Sequence, residues 1–221
     1  MAKILVNYPS RSRPHKFIKI LRDYSSRLSG KNDVHFLIKI DKDDTSLNNN
    51  RIINFLKSLN VSYTLEILED CQGKVDAINR NVSKYDFDIV ITISDDMELL
   101  VDGWDEIISK DFKQNYCQCL NYNVDPRLQE KGFESLIVLP IIGKDLYKKF
   151  EYIYHPSYKS EYCDNEQTEV FSTLGVVTNI NHKIVIHKWD QNQDQLMLRN
   201  IGVGYQYDRE NYEKRKKVNF K

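Results

Sequence analysis

The chain has 221 residues with 32 basic and 32 acidic side chains, so it lacks the bulk charge that a generic polyanion binder presents. Hydrophobic residues make up 41% and charged residues 29%, which excludes a disordered chain and suits one large folded domain, with or without a small appendage. No run reaches the ~18 apolar residues of a membrane span and the start lacks a signal-peptide core, so a cytoplasmic protein without a membrane span is expected, in the host cytoplasm if the source is viral.

Residues 3–7 form a short apolar strand, followed by the turn-like 8–14 with Pro9 and Pro14. A helix is predicted over 15–28, with Phe17, Ile18, Leu21 and Leu28 on one face and Gly30 as its stop. Residues 34–40 form a second strand ending at the acidic 41–44, and a helix over 49–59 carries Ile52, Ile53, Phe55, Leu56 and Leu59. A third strand spans 63–68, and a helix opening near Lys74 leads to a fourth strand at Asp88. This alternation predicts a Rossmann-like α/β domain with a mostly parallel central sheet flanked by helices. In such a sheet the loops after Asn7, Ile40, Leu68 and Ser94 converge on one crevice.

The second half is less regular. A helix opens at 102–105 and runs to about Phe112, and 135–142 reads as an apolar strand that Pro140 places at an edge or breaks. A polar, aromatic stretch over 147–169 precedes a mixed strand at 175–180 and a final strand at 183–187. The tail from Trp189, rich in Asn, Gln, Arg and Lys, reads as a mobile segment or lid. The division expected is a catalytic domain over 1–190, with a nucleotide-binding half (1–100), a smaller acceptor half (101–190) and a tail over 191–221. Cys71, Cys117, Cys119 and Cys163 show no paired Cys-x-x-Cys, so reduced thiols are expected rather than a zinc site.

The most informative segment is 88–98, where a β-branched apolar run ends in Ser94, Asp95 and Asp96. Such a run suits a strand buried on both faces, with its end at the ligand crevice. Two adjacent anions there repel and lose hydration, a cost that a bound divalent cation offsets. An acidic turn or helix cap is the plainer alternative.

The chain resembles the nucleotide-sugar glycosyltransferases of the GT-A fold, close to the large inverting family-2-like group, including short enzymes of viral and bacterial type. The residues behind this are 9–14 (Pro-Ser-Arg-Ser-Arg-Pro), 41–44, Gly73 and Lys74 with Ala77 and Asn79, and Ser94-Asp95-Asp96 in place of an Asp-x-Asp motif. They continue with 103–105, 164–166 and His187, so the likeness spans most of the chain from Asn7 to Trp189. It implies a metal-dependent transfer of sugar from a nucleotide sugar, UDP-linked by expectation, to an acceptor hydroxyl with inversion. Mn2+ or Mg2+ is the implied cofactor, held by Asp96 and His187, with Asp95 on the ribose or sugar hydroxyls and Ser94 in the motif's first position. Pro9, Arg11, Arg13, Asp41, Asp44, Lys74 and Asn79 are the implied nucleotide contacts: Arg forks suit phosphate, and acids after the second strand suit a base or ribose. Among Asp41, Asp43 and Asp44 the choice stays open. Asp164, then Glu166, is the implied base that deprotonates the acceptor, which could be a glycan, a small molecule or a modified nucleic acid. The competing readings are a sugar-phosphate nucleotidyltransferase, disfavoured by the lack of glycine in 8–14, and a non-catalytic nucleotide- or sugar-binding protein on the same fold.

Overall fold

A computed structural model describes residues 1–125, 136–188 and 195–221. Four strands and the helices between them build its first half: β1 (Lys3–Ser10), α1 (Pro14–Ser26), β2 (Asp33–Asp41), α2 (Asn50–Lys57), β3 (Ser62–Leu68), α3 (Lys74–Asn79) and β4 (Ile89–Thr92). Pro14 starts α1 with its φ already helical, and the Asn49 side chain caps α2 by accepting the Ile52 N–H at 3.2 Å. Then come β5 (Met97–Leu99), α4 (Trp104–Asp111), β6 (Cys119–Asn121), β7 (Ile141–Gly143), α5 (Lys144–Phe150), α6 (Cys163–Thr173), β8 (Val177–Asn179), β9 (Val185–His187) and α7 (Gln195–Lys217).

Seven strands form one sheet in the order β3-β2-β1-β4-β7-β6-β8, mostly parallel, with β7 antiparallel to β4 and β6. Strands β5 and β9 pair separately and antiparallel, setting Met97 opposite His187. Side-chain alternation divides the core between the sheet's faces. Ile4, Val6 and Tyr8 of β1 pack with α1, α2 and α4, whereas Leu5 and Leu37 pack with α3, α5, α6 and Tyr212 of α7. Trp104 closes the first layer by donating its indole N–H to Tyr24 O at 3.0 Å.

Three sequence expectations change. The turn-like 8–10 continues β1, because Tyr8 is fully buried and stacks on Phe17 at 5.4 Å. The strand expected over 135–142 shrinks to Ile141–Gly143 among the described residues. Pro140 has no N–H for a ladder, and its carbonyl instead accepts the Thr92 N–H at 3.1 Å. The tail expected to be mobile contains α7, a 23-residue helix with Asp208 and Tyr212 buried; residues 189–194 lie outside the described ones. Among the described residues no helix is long and apolar enough to cross a membrane.

Candidate active site

The sheet reverses its winding direction between β1 and β4, the place where open α/β sheets bind ligands. A cleft of about 930 Å³ opens there, lined from β1, β2, β3, α3 and β4 and closed on the far side by Tyr154, Ser160, Glu161, Asp164, His187 and Leu196. The convergence of loops expected from the sequence is therefore met.

Asp95 and Asp96 emerge just beyond β4, in different surroundings. Asp95 faces β1: Tyr8 donates its hydroxyl to Oδ1 at 2.5 Å, and Ser10 donates to Oδ1 at 2.9 Å and Oδ2 at 3.1 Å. Burial pushes its carboxyl up to about 6 despite these donors and Arg13. Asp96 faces the cleft and accepts the Ser94 hydroxyl on Oδ1. Its burial raises the carboxyl pKa, but His187, Ser94 and Arg13 outweigh that and hold it below the usual carboxylate range.

His187, at the end of β9, brings Nε2 to 3.4 Å from Asp96 Oδ1 and Nδ1 to 3.5 Å from Asp125 Oδ2. Burial disfavours its cationic form, yet Asp125 and Asp96 more than compensate and raise its pKa above 6.5. In this arrangement Nδ1 is buried without a hydrogen bond of ordinary geometry. Two ligand atoms bonded to one octahedral ion at ~2.1 Å stand ~3 Å apart, close to the observed pair. A carboxylate behind the second ring nitrogen is the usual support for a metal-bound histidine. Among the described residues no group of three or more His, Cys, Asp or Glu could hold an ion without help. The donor set of one carboxylate and one imidazole therefore fits an ion that also takes phosphate oxygens and water.

Elsewhere the cleft is mixed in charge. Arg11 forks onto Asp41 at 2.5 Å and Asp43 at 2.6 and 2.7 Å, so its guanidinium is committed to the acids at the end of β2 and just beyond it. Pro9, Arg13 and Asp41 line the same wall. Lys74 reaches into the open cleft, accessible to water yet ringed by protein. Desolvation lowers its pKa, but Cys163, Glu161, Asp164 and Asp96 reverse the effect and raise it.

Three expected contacts do not reach the cleft. Asp44 is turned inward, accepting the Ser12 N–H at 2.7 Å, the Ser46 N–H at 3.1 Å and the Ser46 hydroxyl at 2.6 Å. Asn79 clamps backbone instead, donating to Tyr154 O at 2.7 Å and accepting from Ile153 and Tyr154 N–H at 2.9 and 3.1 Å. Glu166 points to the other side of α6, where Arg215 grips it at 2.7 and 2.8 Å and Tyr158 donates at 2.7 Å. Asp164, two residues earlier, faces the cleft, because adjacent helical positions lie ~100° apart and two steps carry a side chain to the opposite face.

The sequence reading missed Tyr8, Ser10, Lys39 and Asp125. Tyr8 and Ser10 were readable as a period-2 continuation of β1, and Lys39 as a lone charge inside an apolar strand. Lys39 lies on the cleft floor, donates to Ala77 O at 3.0 Å and Ile78 O at 3.1 Å, and has its pKa lowered to about 7 by burial. Nothing local singles out Asp125, which follows a strand too short to show a pattern.

No family model matches the chain and no curated protein matches its sequence. Solved structures do match in fold. A mannosyltransferase, PcManGT from Pyrobaculum calidifontis in complex with GDP-Man and Mn2+, aligns with a TM-score of 0.69 at 10% identity over 87% of this chain and 58% of its own. S. aureus TarS 1-349 in complex with UDP-GlcNAc aligns at 0.65 and 12% identity, over 92% of this chain and 64% of its own. Glucosyl-3-phosphoglycerate synthase from Mycobacterium tuberculosis, in complex with Mn2+, UDP-Glc and phosphoglyceric acid, aligns at 0.60 and 13% identity, over 91% and 79%. The chain thus spans less than two thirds of the first two relatives. Its fold is that of the GT-A nucleotide-sugar glycosyltransferases.

Proposed function

We propose that the protein is a metal-dependent glycosyltransferase that moves a sugar from a nucleoside diphosphate sugar, UDP-linked by expectation, to an acceptor hydroxyl with inversion. The observation that carries this reading is the Asp96–His187 pair at 3.4 Å, inside a large cleft at the sheet's switch point. Charge supports it: nine carboxylates and only five Lys or Arg side chains line the cleft, so an anionic diphosphate enters at a cost unless a cation accompanies it. Asp96 and His187 would hold Mn2+ or Mg2+, with Asp125 orienting the imidazole. Bound there, the ion would supply Lewis acidity toward the diphosphate leaving group.

This chain's own groups do the rest. Asp41, steadied by Arg11, accepts from the base or ribose, while Arg13 and Lys74 approach the phosphates. Tyr8 and Ser10 hold Asp95 beside the donor sugar and ribose hydroxyls. Asp164, on the acceptor wall, takes the proton from the incoming hydroxyl as it attacks the anomeric carbon from the face opposite the leaving group. Residues 1–100 thus serve the donor, and 101–190 serve the acceptor, whether glycan, small molecule or modified nucleic acid, while lending Asp125 and His187 to the ion.

Calorimetry with UDP, with and without Mn2+, tests the reading on the unaltered protein and on Asp96→Ala. Mn2+ should tighten UDP binding by about tenfold or more in the first and do nothing in the second. Equal affinity for UDP with and without Mn2+ in the unaltered protein would refute it.

A further inference from the structure

We propose that Asp208, on α7, is a positioning residue for the acceptor wall: its buried carboxylate holds the backbone strip 159–161 from which that wall is built. The proposal rests on the glycosyltransferase reading for the chemical task it gives Asp164. Asp208 is fully buried, and three successive N–H groups donate to it: Lys159 at 2.9 Å to Oδ1, and Ser160 and Glu161, both at 2.8 Å, to Oδ2. Consecutive N–H groups converging on one carboxylate form a concave anion seat, and these bonds offset the cost of removing the charge from water.

The approach of the helix is built in. A Cβ at Gly204 would stand 3.0 Å from Asp208 Oδ2, 3.5 Å from Ser160 Cβ and 3.6 Å from Lys159 Cβ. The other side of the same strip is also gripped. Lys159 O accepts the Val75 N–H at 3.0 Å and would lie only 2.8 Å from a Cβ at Gly73. The strip is therefore held through its N–H groups by α7 and through a carbonyl by α3, next to Lys74. Ser160, Glu161 and Asp164, at or just beyond the strip, line the cleft, so Asp208 sets the position of the acceptor wall relative to the donor half. Asn211, which donates to Ser157 Oγ at 2.8 Å, and Tyr162, which donates to the Tyr205 hydroxyl at 3.0 Å, extend the same docking. A base displaced by as little as ~1 Å loses much of its effect, whereas a nucleotide held by other loops does not.

The test compares Asp208→Ala, Asp208→Asn and the milder Gly204→Ala with the unaltered protein. Three quantities are read: amide hydrogen exchange at 159–161, calorimetric affinity for UDP with Mn2+, and kcat and KM for Mn2+-dependent hydrolysis of a UDP-sugar, with water replacing the acceptor. In the Asp208 variants exchange should quicken and kcat fall by about tenfold or more, while KM and UDP affinity stay within about threefold. Gly204→Ala should change exchange and kcat in the same direction with a smaller loss of Tm than the Asp208 variants, since alanine's preference for the helix offsets part of the crowding. It carries the test if the Asp208 variants fail to fold. Unchanged exchange, or an unchanged kcat per folded molecule, overturns the proposal. If Mn2+ does not tighten UDP binding in the unaltered protein, the function proposed above has failed, and hydrogen exchange alone then decides the Asp208 seat.

Discussion

Glu166→Ala separates a structural carboxylate from a chemical one two residues away. Glu166 has a side chain only 4% exposed, and it meets Arg215 in a two-pronged ion pair, with Arg215 16% exposed. Removing one partner of a buried pair leaves the other desolvated and unpaired, which costs ~3–5 kcal/mol. Because Arg215 retains some solvent, the lower end of about 3 kcal/mol applies here. For a chain of this size each kcal/mol moves Tm by ~2–4 °C, so a fall of roughly 6–12 °C is expected in a thermal melt. Replacing both partners by leucine should recover most of it, since no charge is then stranded. UDP-sugar hydrolysis well below Tm should stay within about twofold for Glu166→Ala, because the Asp208 seat on 159–161 is untouched. Asp164→Asn should instead lower kcat by ~100-fold with little change in Tm. The reasoning is refuted if Glu166→Ala melts like the unaltered protein and loses as much turnover as Asp164→Asn.

Lys39→Met tests the buried amine on the cleft floor. Its pKa falls from 10.5 unfolded to about 7 folded, so it imposes no penalty above pH 10.5 and a growing one as pH drops toward 7. The full penalty is roughly 5 kcal/mol at 1.36 kcal/mol per pH unit, partly offset by its two carbonyl bonds. In denaturant melts Lys39→Met should therefore gain on the unaltered protein between pH 10.5 and 7; parallel pH profiles would count against this. His187 has the opposite sign. Its raised pKa adds stability to the metal-free protein that is complete below pH 6.5 and lost as pH rises through the folded value. Melts in EDTA should show that loss and His187→Ala should abolish it, while Mn2+ affinity, followed by electron paramagnetic resonance, should weaken on acidification. Gly73→Ala places a Cβ 2.8 Å from Lys159 O at a φ of +141°, so about 3 kcal/mol or more of stability should disappear in a urea melt. A change under about 1 kcal/mol would show that the loop yields.

The likeness to known enzymes is confined to fold, and the residues separate what fold preserves from what it does not. Asp96 and His187 sit 91 positions apart, yet β5 and β9 pair so that both end at the cleft. That pairing was invisible beforehand, because three-residue strands show no periodicity. Glu166 stood as second choice behind Asp164 and Asn79 as a nucleotide contact beside Lys74, since residue type and spacing do not reveal which neighbour has already claimed a polar atom.

Local sequence determined the first half of the protein. Apolar runs of strand length, amphipathic helices and polar breaks each bury their own surface, and parallel strands joined by helices can assemble in few ways. That was enough to bring the ends of β1, β2, β3 and β4 to one cleft and to mark Asp95 and Asp96 at its floor. Tertiary structure alone decided how the two acids differ, because Tyr8 and Ser10 claim Asp95 while His187 and Ser94 meet Asp96. It also turned a polar tail into a docked helix, since Asp208 becomes favourable to bury only where three N–H groups from distant residues converge on it.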